Sequence, residues 1–329
     1  MSRETETTFD IEQESIFHRT SDIETTRWDN LQIFLDRNVI APWRIILNDP
    51  RGLVGSLILL FFIMMALVGP YIVGEPVAYA GDPYLQPFED WQFPLGTDNQ
   101  GYDLLTLVVT ATPFMFKMLL AGAVFTIVLA TTIGTYAGYI GGVQDRALST
   151  LIDIMITIPG LPLIIVLSVL FEPRSPYLVG IILTIAYWAG LARNIRAEVL
   201  SLREESYVEA SQAMGKPVHH ILSEDVLPNI MPYISINFVN AGRHVIFASV
   251  ALYFLGILPF TNMNWGVMMN YAYRTGSALS IPSNFYWFAV PTAAVVFLSI
   301  GLVLFAQSLD HVFNPRARAK HASTIDEDG

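Results

Sequence analysis

Few residues in this sequence have the types and spacing that a catalytic or metal site needs. His219 and His220 are adjacent, so on a helix their side chains point about 100° apart, and no His or Cys follows four residues later as a second metal ligand. The Gly215-Lys216 pair precedes Pro217, which is incompatible with a phosphate-binding loop. No Ser–His–Asp arrangement can be assigned from spacing. The sequence therefore predicts no catalytic, metal or cofactor site in this chain.

Two charged residues lie in apolar stretches, where Arg or Asp at a helix centre costs about 2.5–3.5 kcal/mol. Arg243, near Asn240, is a candidate for lining a path through the membrane. The alternative is that the fifth span starts later in the chain, so that Arg243 lies near the cytoplasmic surface and its side chain reaches water, and the length of the stretch 230–258 favours this alternative. Asp153 has no second Asp within a span, so we expect a structural hydrogen bond rather than a proteolytic or substrate-binding role.

A polar segment, 193–229, separates two apolar stretches and is prone to form helices. Gly215 predicts a helix end, and Pro217 blocks continuation until a second short helix before Pro228. Just before Gly215, small or apolar residues recur at i, i+3 and i+4, which gives one helix face a close-fitting surface; these are Ala210, Ala213 and Met214. This pattern indicates docking on a partner, and a solvated connector is the alternative.

The composition that surrounds these residues excludes a soluble globular protein. Hydrophobic residues make up 53% of the 329 residues, charged residues 14%, and the mean hydropathy is +0.47. Globular proteins carry about 25% charged residues, and the long charge-free runs here are suited to lipid. The chain has no cysteine, which excludes disulfides and thiolate chemistry.

Six apolar segments are long enough to cross a bilayer of about 30 Å as helices. They are Leu53–Val73, Met118–Ile140, Ala147–Phe171 with Pro159 and Pro162 inside it, Tyr177–Ala192, a segment within Ile230–Leu258, and Phe285–Leu309. The second is rich in the small residues that let membrane helices approach closely.

Lys and Arg predict the orientation, because they concentrate on the cytoplasmic side. With the N-terminus inside, the inside segments hold fourteen of them and the outside segments two. The polar, acidic N-terminal tail is predicted to carry no cleavable signal peptide, and residues 27–47 are predicted to form an interfacial helix or else a loose linker. The net charge of −11 suggests a halophile with a high-salt cytoplasm, and an ordinary acidic tail is the alternative.

Several ordered segments resemble the permeases of ABC importers. The EAA loop of that family is resembled by Glu209-Ala210, Gly215 and Leu227-Pro228-Asn229. Further segments of the family are resembled by Leu95-Gly96-Thr97-Asp98 with Gly101 and Asp103, Ala137–Gly142 with Asp145, Phe254-Leu255-Gly256, Trp265-Gly266 and Asn314-Pro315-Arg316. Together, over about residues 40 to 318, they are similar to the second of the paired permeases in dipeptide, oligopeptide and nickel importers.

The resemblance implies an all-α integral membrane protein with six transmembrane helices and the type I permease fold. Its parts are a cytoplasmic tail 1–52 with the interfacial helix, a first span 53–74, an extracellular loop 75–116, a core 117–310 with five spans and the coupling segment 193–229, and a cytoplasmic tail 311–329.

The resemblance also implies the partners. Two separate ATPase subunits bind ATP and magnesium, a second permease supplies the other half of the path, and an extracellular substrate-binding protein delivers the cargo; membrane lipid surrounds the chain, and no nucleic acid is involved. The ATPase-coupling residues are Glu209, Ala210, Ala213, Met214, Gly215 and Pro228, and Asn240 and Arg243 are candidates for the translocation path.

The sequence departs from the family's pattern at several positions. The departures are Tyr102, Ser211, Asp225, Ser249, Leu258 and Asn314. They leave the cargo open among peptides, nickel and sugars. A secondary transporter or channel is the alternative of another class; it requires charges paired at the midplane, for which Arg243 is the candidate.

Overall fold

The computed structural model describes residues 46–313, with side chains as far as residue 310; the regular secondary structure within them is helical, apart from an isolated bridge between Thr97 and Asp103, and loops join the helices. The helices are α1 Pro50–Leu67, α2 Gly69–Val73, α3 Leu104–Ile140, α4 Gly142–Thr157, α5 Gly160–Phe171, α6 Pro176–Thr184, α7 Tyr187–Arg203, α8 Ser206–Ala213, α9 Val218–Ile221, α10 Leu227–Phe254, α11 Trp265–Arg274 and α12 Phe285–Phe313. A π-helical turn, Leu222–Val226, joins α9 to α10.

Three of these helices, α1, α3 and α12, are long and apolar enough to cross a membrane, and the count rises to five if the bent pairs α4–α5 and α6–α7 are each one span. The described residues thus support a multi-pass membrane protein. The helix predicted as the fifth span, α10, is one unbroken helix of 28 residues but is not among these candidates. The count of six stays a prediction.

The observed helices differ from the predicted spans at several boundaries. The second helix begins at Leu104 rather than Met118, because the Asp103 side chain accepts hydrogen bonds from the N–H groups of Leu105 and Thr106 and caps a helix of 37 residues. The third span bends by 86° between α4 and α5, beside Pro159.

The fourth span is also bent, by 56°, and it continues beyond the predicted end at Ala192 to Arg203. The extension is stabilised by burial, since Ile195 and Val199 are fully buried in the protein. The helix α11 and the unbroken course of α10 from Leu227 were not predicted, and the predicted interfacial helix 27–47 lies outside the described residues except for its last two.

The third helix runs the length of the protein and joins two apolar cores. At 1.5 Å per residue it is about 55 Å long. Its first half packs in a core with α6, α10, α11 and α12, and its second half packs in a core with α4, α7, α8 and the start of α10. The segment 74–103 and the helix α8 therefore lie at opposite ends of the molecule.

Small residues let α3 approach α6 and α7 closely, as the sequence predicted. A Cβ atom on Gly122 would lie 2.6 Å from the carbonyl oxygen of Gly180 on α6. About three helical turns further along α3, a Cβ on Gly134 would lie 2.6 Å from the carbonyl oxygen of Ala192 on α7. Neither glycine position has room for a side chain, so α3 packs backbone to backbone against α6 and against α7.

The segment 74–103 is a compact loop whose two arms are hydrogen-bonded to each other. Buried Thr97 donates its hydroxyl to the carbonyl of Asp82 and accepts from the N–H of Leu85, and the Asp98 carboxylate accepts from the N–H of Tyr102. The hydroxyl of Tyr286 on α12 donates to the Thr97 carbonyl over 2.7 Å and ties the loop to the helical body. The Gly-Thr-Asp segment thus has a structural role.

Candidate functional site

The coupling segment forms a short helix that ends where Gly215 was predicted to end it. Gly215 adopts a φ of +73°, a conformation that glycine tolerates and other residues do not favour. Its N–H donates to the carbonyl of Gln212, and the N–H of Lys216 donates to the carbonyl of Ser211. These two bonds form a Schellman motif, which fixes the exit of α8.

One side of α8 is buried in the protein and the other is exposed. Val208 and Ser211 are buried, at 0% and 4% exposure, in contrast to the sequence-predicted coupling residues. Those residues, Glu209, Ala210, Ala213, Met214 and Gly215, are all exposed, and so is Pro228 at the start of α10. The structure therefore brings the predicted coupling residues of α8 onto one accessible surface.

This surface is apolar as well as accessible. Tyr207 and Met214 are large exposed side chains on either side of Ala210, and Val218 follows beyond the turn. Partial burial and the neighbouring carboxylates of Glu205 and Asp225 raise the pKa of the Tyr207 hydroxyl, so it is neutral at physiological pH. Ser211, where the family has a second alanine, points to the buried side and leaves this surface unchanged.

Buried residues attach α8 and its turn to the transmembrane helices. Val208, Ile221 and Val226 are each at most 1% exposed and pack in the same core as Ile195 and Val199 of α7. Two contacts between basic and acidic side chains border the exit: His220 lies 2.8 Å from Glu224, and Lys216 is 4.0 Å from Asp225. The helix α8 is therefore packed directly against α7 and the start of α10.

Two ion pairs hold α4 against α7. Arg196 donates two hydrogen bonds to the Asp145 carboxylate, over 2.6 and 2.7 Å, and Ser149 donates a third to it. Arg193 pairs with Asp153. Asp153 thus has the structural hydrogen bond that the sequence predicted.

A cavity of about 600 Å³ lies where the two bends, α4–α5 and α6–α7, face α10. Polar side chains enter it from two helices, and sequence reasoning missed all of them; they are Tyr187, Asn194, Asn237 and His244. Asn240 and Arg243, which the sequence suggested for the path, lie on α10 but not in the cavity lining. The helix α10 runs unbroken past Arg243, and the start of the membrane-crossing part of this helix stays a prediction.

The departures from the family pattern have local explanations. Ser249 is fully buried and donates to the Ile246 carbonyl, Leu258 is buried in the larger core, and Tyr102 packs against that core. Asn314 lies outside the described residues. None of the five departures within the described residues lines the cavity.

Known proteins are similar in sequence to this chain over most of its length. Residues 130–319 match the family described as "Binding-protein-dependent transport system inner membrane component". The dipeptide transport system permease protein DppC of Bacillus subtilis is 31% identical over 233 residues, 69% of this chain and 71% of that protein. The oligopeptide transport system permease protein OppC of the same organism is 28% identical over 67% of this chain and 72% of its own, and DppC of Alkalihalophilus pseudofirmus is 24% identical over 85% and 92%.

Proposed function

The chain belongs to the family of binding-protein-dependent transport system inner membrane components, and on this premise we propose that it is a permease subunit of an ATP-driven importer of dipeptides and oligopeptides. The relatives named as dipeptide and oligopeptide permeases support the cargo. The family is a transport component and not a catalytic one, so ATP and magnesium belong to separate ATPase subunits in this proposal.

We further propose six transmembrane helices with both termini in the cytoplasm. Five come from the apolar helices and bent pairs, and α10 is the sixth, because it is long enough at about 42 Å and packs between α3 and α12. The distribution of Lys and Arg supports this orientation. It puts α8 in the cytoplasm and the loop 74–103 outside, where a substrate-binding protein delivers the cargo.

The observation that carries the proposal is the exposed surface of α8. Glu209, Ala210 and Met214 offer a small apolar face with one carboxylate, on a helix whose exit is fixed at Gly215. Such a face fits closely into a groove of a partner. Because the other side of α8 is packed on α7 and α10, closure of the ATPases would move these helices and open the path that this chain shares with a second permease.

The coupling role is tested by charge reversal on the docking face. We expect Glu209→Lys to lower ATP-driven peptide uptake at least about tenfold in vesicles, the equivalent of 1.4 kcal/mol of docking free energy, without loss of membrane insertion. Glu198→Lys is the matched control, because Glu198 is an exposed acid on α7 outside the docking face, and its uptake should stay at the wild-type rate.

A second variant tests the turn. Gly215→Pro is incompatible with φ +73° and removes the N–H that bonds to Gln212, so uptake should be lost. Affinity purification should recover an ATPase and a second permease with the wild-type chain, in smaller amounts with either variant. Wild-type uptake in Glu209→Lys, or a chain that recovers neither partner, would refute the proposal.

A further inference from the structure

The cavity between the two bends and α10 is formed by interrupted helices. At the first bend Pro159 and Pro162 have no N–H to donate, and at the second the N–H of Ile185 donates to Ile182, one residue short of the α-helical partner. Irregular backbone within a membrane is tolerated where it is buried in protein or lines a cavity. Broken helices around a cavity near the midplane are also the common form of a transporter's substrate site.

Side chains of α10 and α7 meet beside the second bend. The imidazole of His244 on α10 and the side chain of Leu183, just before the bend, both line the cavity. The imidazole also stacks on Tyr187, just after the bend, with 4.2 Å between centroids and 11° between planes. Tyr187 and His244 therefore form one flat wall of the cavity.

Besides the rings of Tyr187 and His244, the cavity contains two neutral side-chain amides, those of Asn194 and Asn237. Asn237 donates to the Tyr233 carbonyl, and among the described residues its side-chain oxygen accepts no hydrogen bond. The Asn194 side chain makes no hydrogen bond to any described residue. The rest of the lining is apolar or glycine, and none of the lining residues is Asp, Glu, Lys or Arg.

We propose that this cavity is the site where the chain contacts the transported peptide, and that it selects peptides with uncharged side chains. The inference rests on the proposed function and specifies its substrate class. Asn194 and Asn237 present amides to the amides of the cargo, and the apolar walls receive its side chains. A lipid tail would leave both amides without partners, which costs free energy, whereas a peptide satisfies them. A volume of about 600 Å³ is within the range of small-ligand sites.

A charge placed in the cavity should change which peptides pass. We would reconstitute the whole importer with its receptor and measure uptake of Ala-Leu-Ala and Ala-Lys-Ala, each at a concentration that saturates the receptor. Asn237→Asp should raise the Lys-to-Leu uptake ratio about tenfold, since a carboxylate roughly 10 Å or less from an ammonium favours it by about 1.4 kcal/mol. Gln144→Glu is the matched control: Gln144 is exposed, lies outside the cavity, and should leave the ratio unchanged.

The absence of cysteine allows a second test that does not depend on this variant. A single cysteine at Ala248, in the lining, should react with a water-soluble thiol reagent, and receptor with Ala-Leu-Ala and ATP should slow the reaction at least about threefold. A cysteine at Val296, an exposed position on α12 outside the lining, should show no protection by peptide.

The outcomes separate this inference from the proposed function. A wild-type importer that takes up neither peptide refutes the function itself. Normal uptake with an unchanged ratio in Asn237→Asp, or reaction at Ala248→Cys that peptide does not slow, overturns the site alone. An unreactive Ala248→Cys would mean that a helix of the second permease or lipid fills the cavity, which also overturns it.

Discussion

Gly180 is a position between α3 and α6 where the packing of this protein is sensitive to one added methyl group. A Cβ atom there would lie 2.2 Å from the carbonyl oxygen of Met118 and 3.1 Å from the backbone nitrogen of Gly122. Ordinary van der Waals contact begins at 3.4 Å, so Gly180→Ala requires α3 and α6 to separate by roughly 1 Å. The neighbouring atoms are backbone, and no side-chain rotation can relieve the overlap.

The expected cost of Gly180→Ala follows from this separation. Overpacking costs about 1–3 kcal/mol, and we expect the upper half of that range because Met118, Val179 and Leu183, each about 1% exposed, lose contacts as the helices separate. Alanine is the better helix former by about 1 kcal/mol, which offsets part of the cost. The net destabilisation is about 1–2 kcal/mol, which lowers the unfolding temperature of a chain of this length by roughly 1–3 °C.

Thermal unfolding in detergent, followed by circular dichroism, measures this effect. Gly190→Ala is the matched control, because Gly190 is also in a helix but a Cβ there meets no atom within 4 Å, so this variant should unfold at or above the wild-type temperature. Gly122→Ala should behave like Gly180→Ala, and the double variant should cost less than the sum, since one separation of the helices relieves both overlaps. A Gly180→Ala protein as stable as the wild type would refute the close-packing argument.

Two further predictions concern polar groups. Arg196→Ala should lower the free energy of unfolding by about 2 kcal/mol, because Asp145, with its side chain 15% exposed, loses both charged hydrogen bonds. Arg196→Lys should recover less than half of this lost free energy, and thermal unfolding measures both variants. Full recovery by lysine would exclude a requirement for the bidentate geometry. Burial raises the pKa of the Asp98 carboxyl, so the folded loop favours the protonated acid. The stability of the folded loop is therefore greatest below the ordinary pKa of Asp and falls as the pH rises through the pKa that Asp98 has in the folded protein. Both backbone N–H groups that donate to Asp98 bond to the same side-chain oxygen, and asparagine retains an oxygen at that position. Hydrogen exchange of the loop, corrected for intrinsic rates, should therefore depend on pH in the wild type and not in Asp98→Asn. The same pH dependence in both proteins would contradict this account.

The sequence by itself determined the features that depend on neighbouring residues in the chain. The apolar helices α1, α3 and α12 follow from hydropathy averaged over about twenty residues, because the partition of a helix into lipid depends on the residues of that helix. The end of α8 at Gly215 follows from the φ that a C-terminal turn requires. The family could likewise be inferred from ordered motifs, because those motifs are turns and caps: Asp103 caps α3, and Gly96 and Gly101 adopt positive φ in the 74–103 loop.

Only the tertiary structure decided the features that depend on residues distant in the chain. Hydropathy cannot show that a helix bends by 56° between Thr184 and Tyr187, or that Tyr187 stacks there on His244, about sixty residues later. The sequence suggested Asn240 and Arg243 for the path, and only the structure shows that Asn194 and Asn237, rather than these two, line the cavity. Which face of α10 meets a bend of α6–α7 is set by side-chain packing in three dimensions, and the linear sequence carries no direct record of that contact.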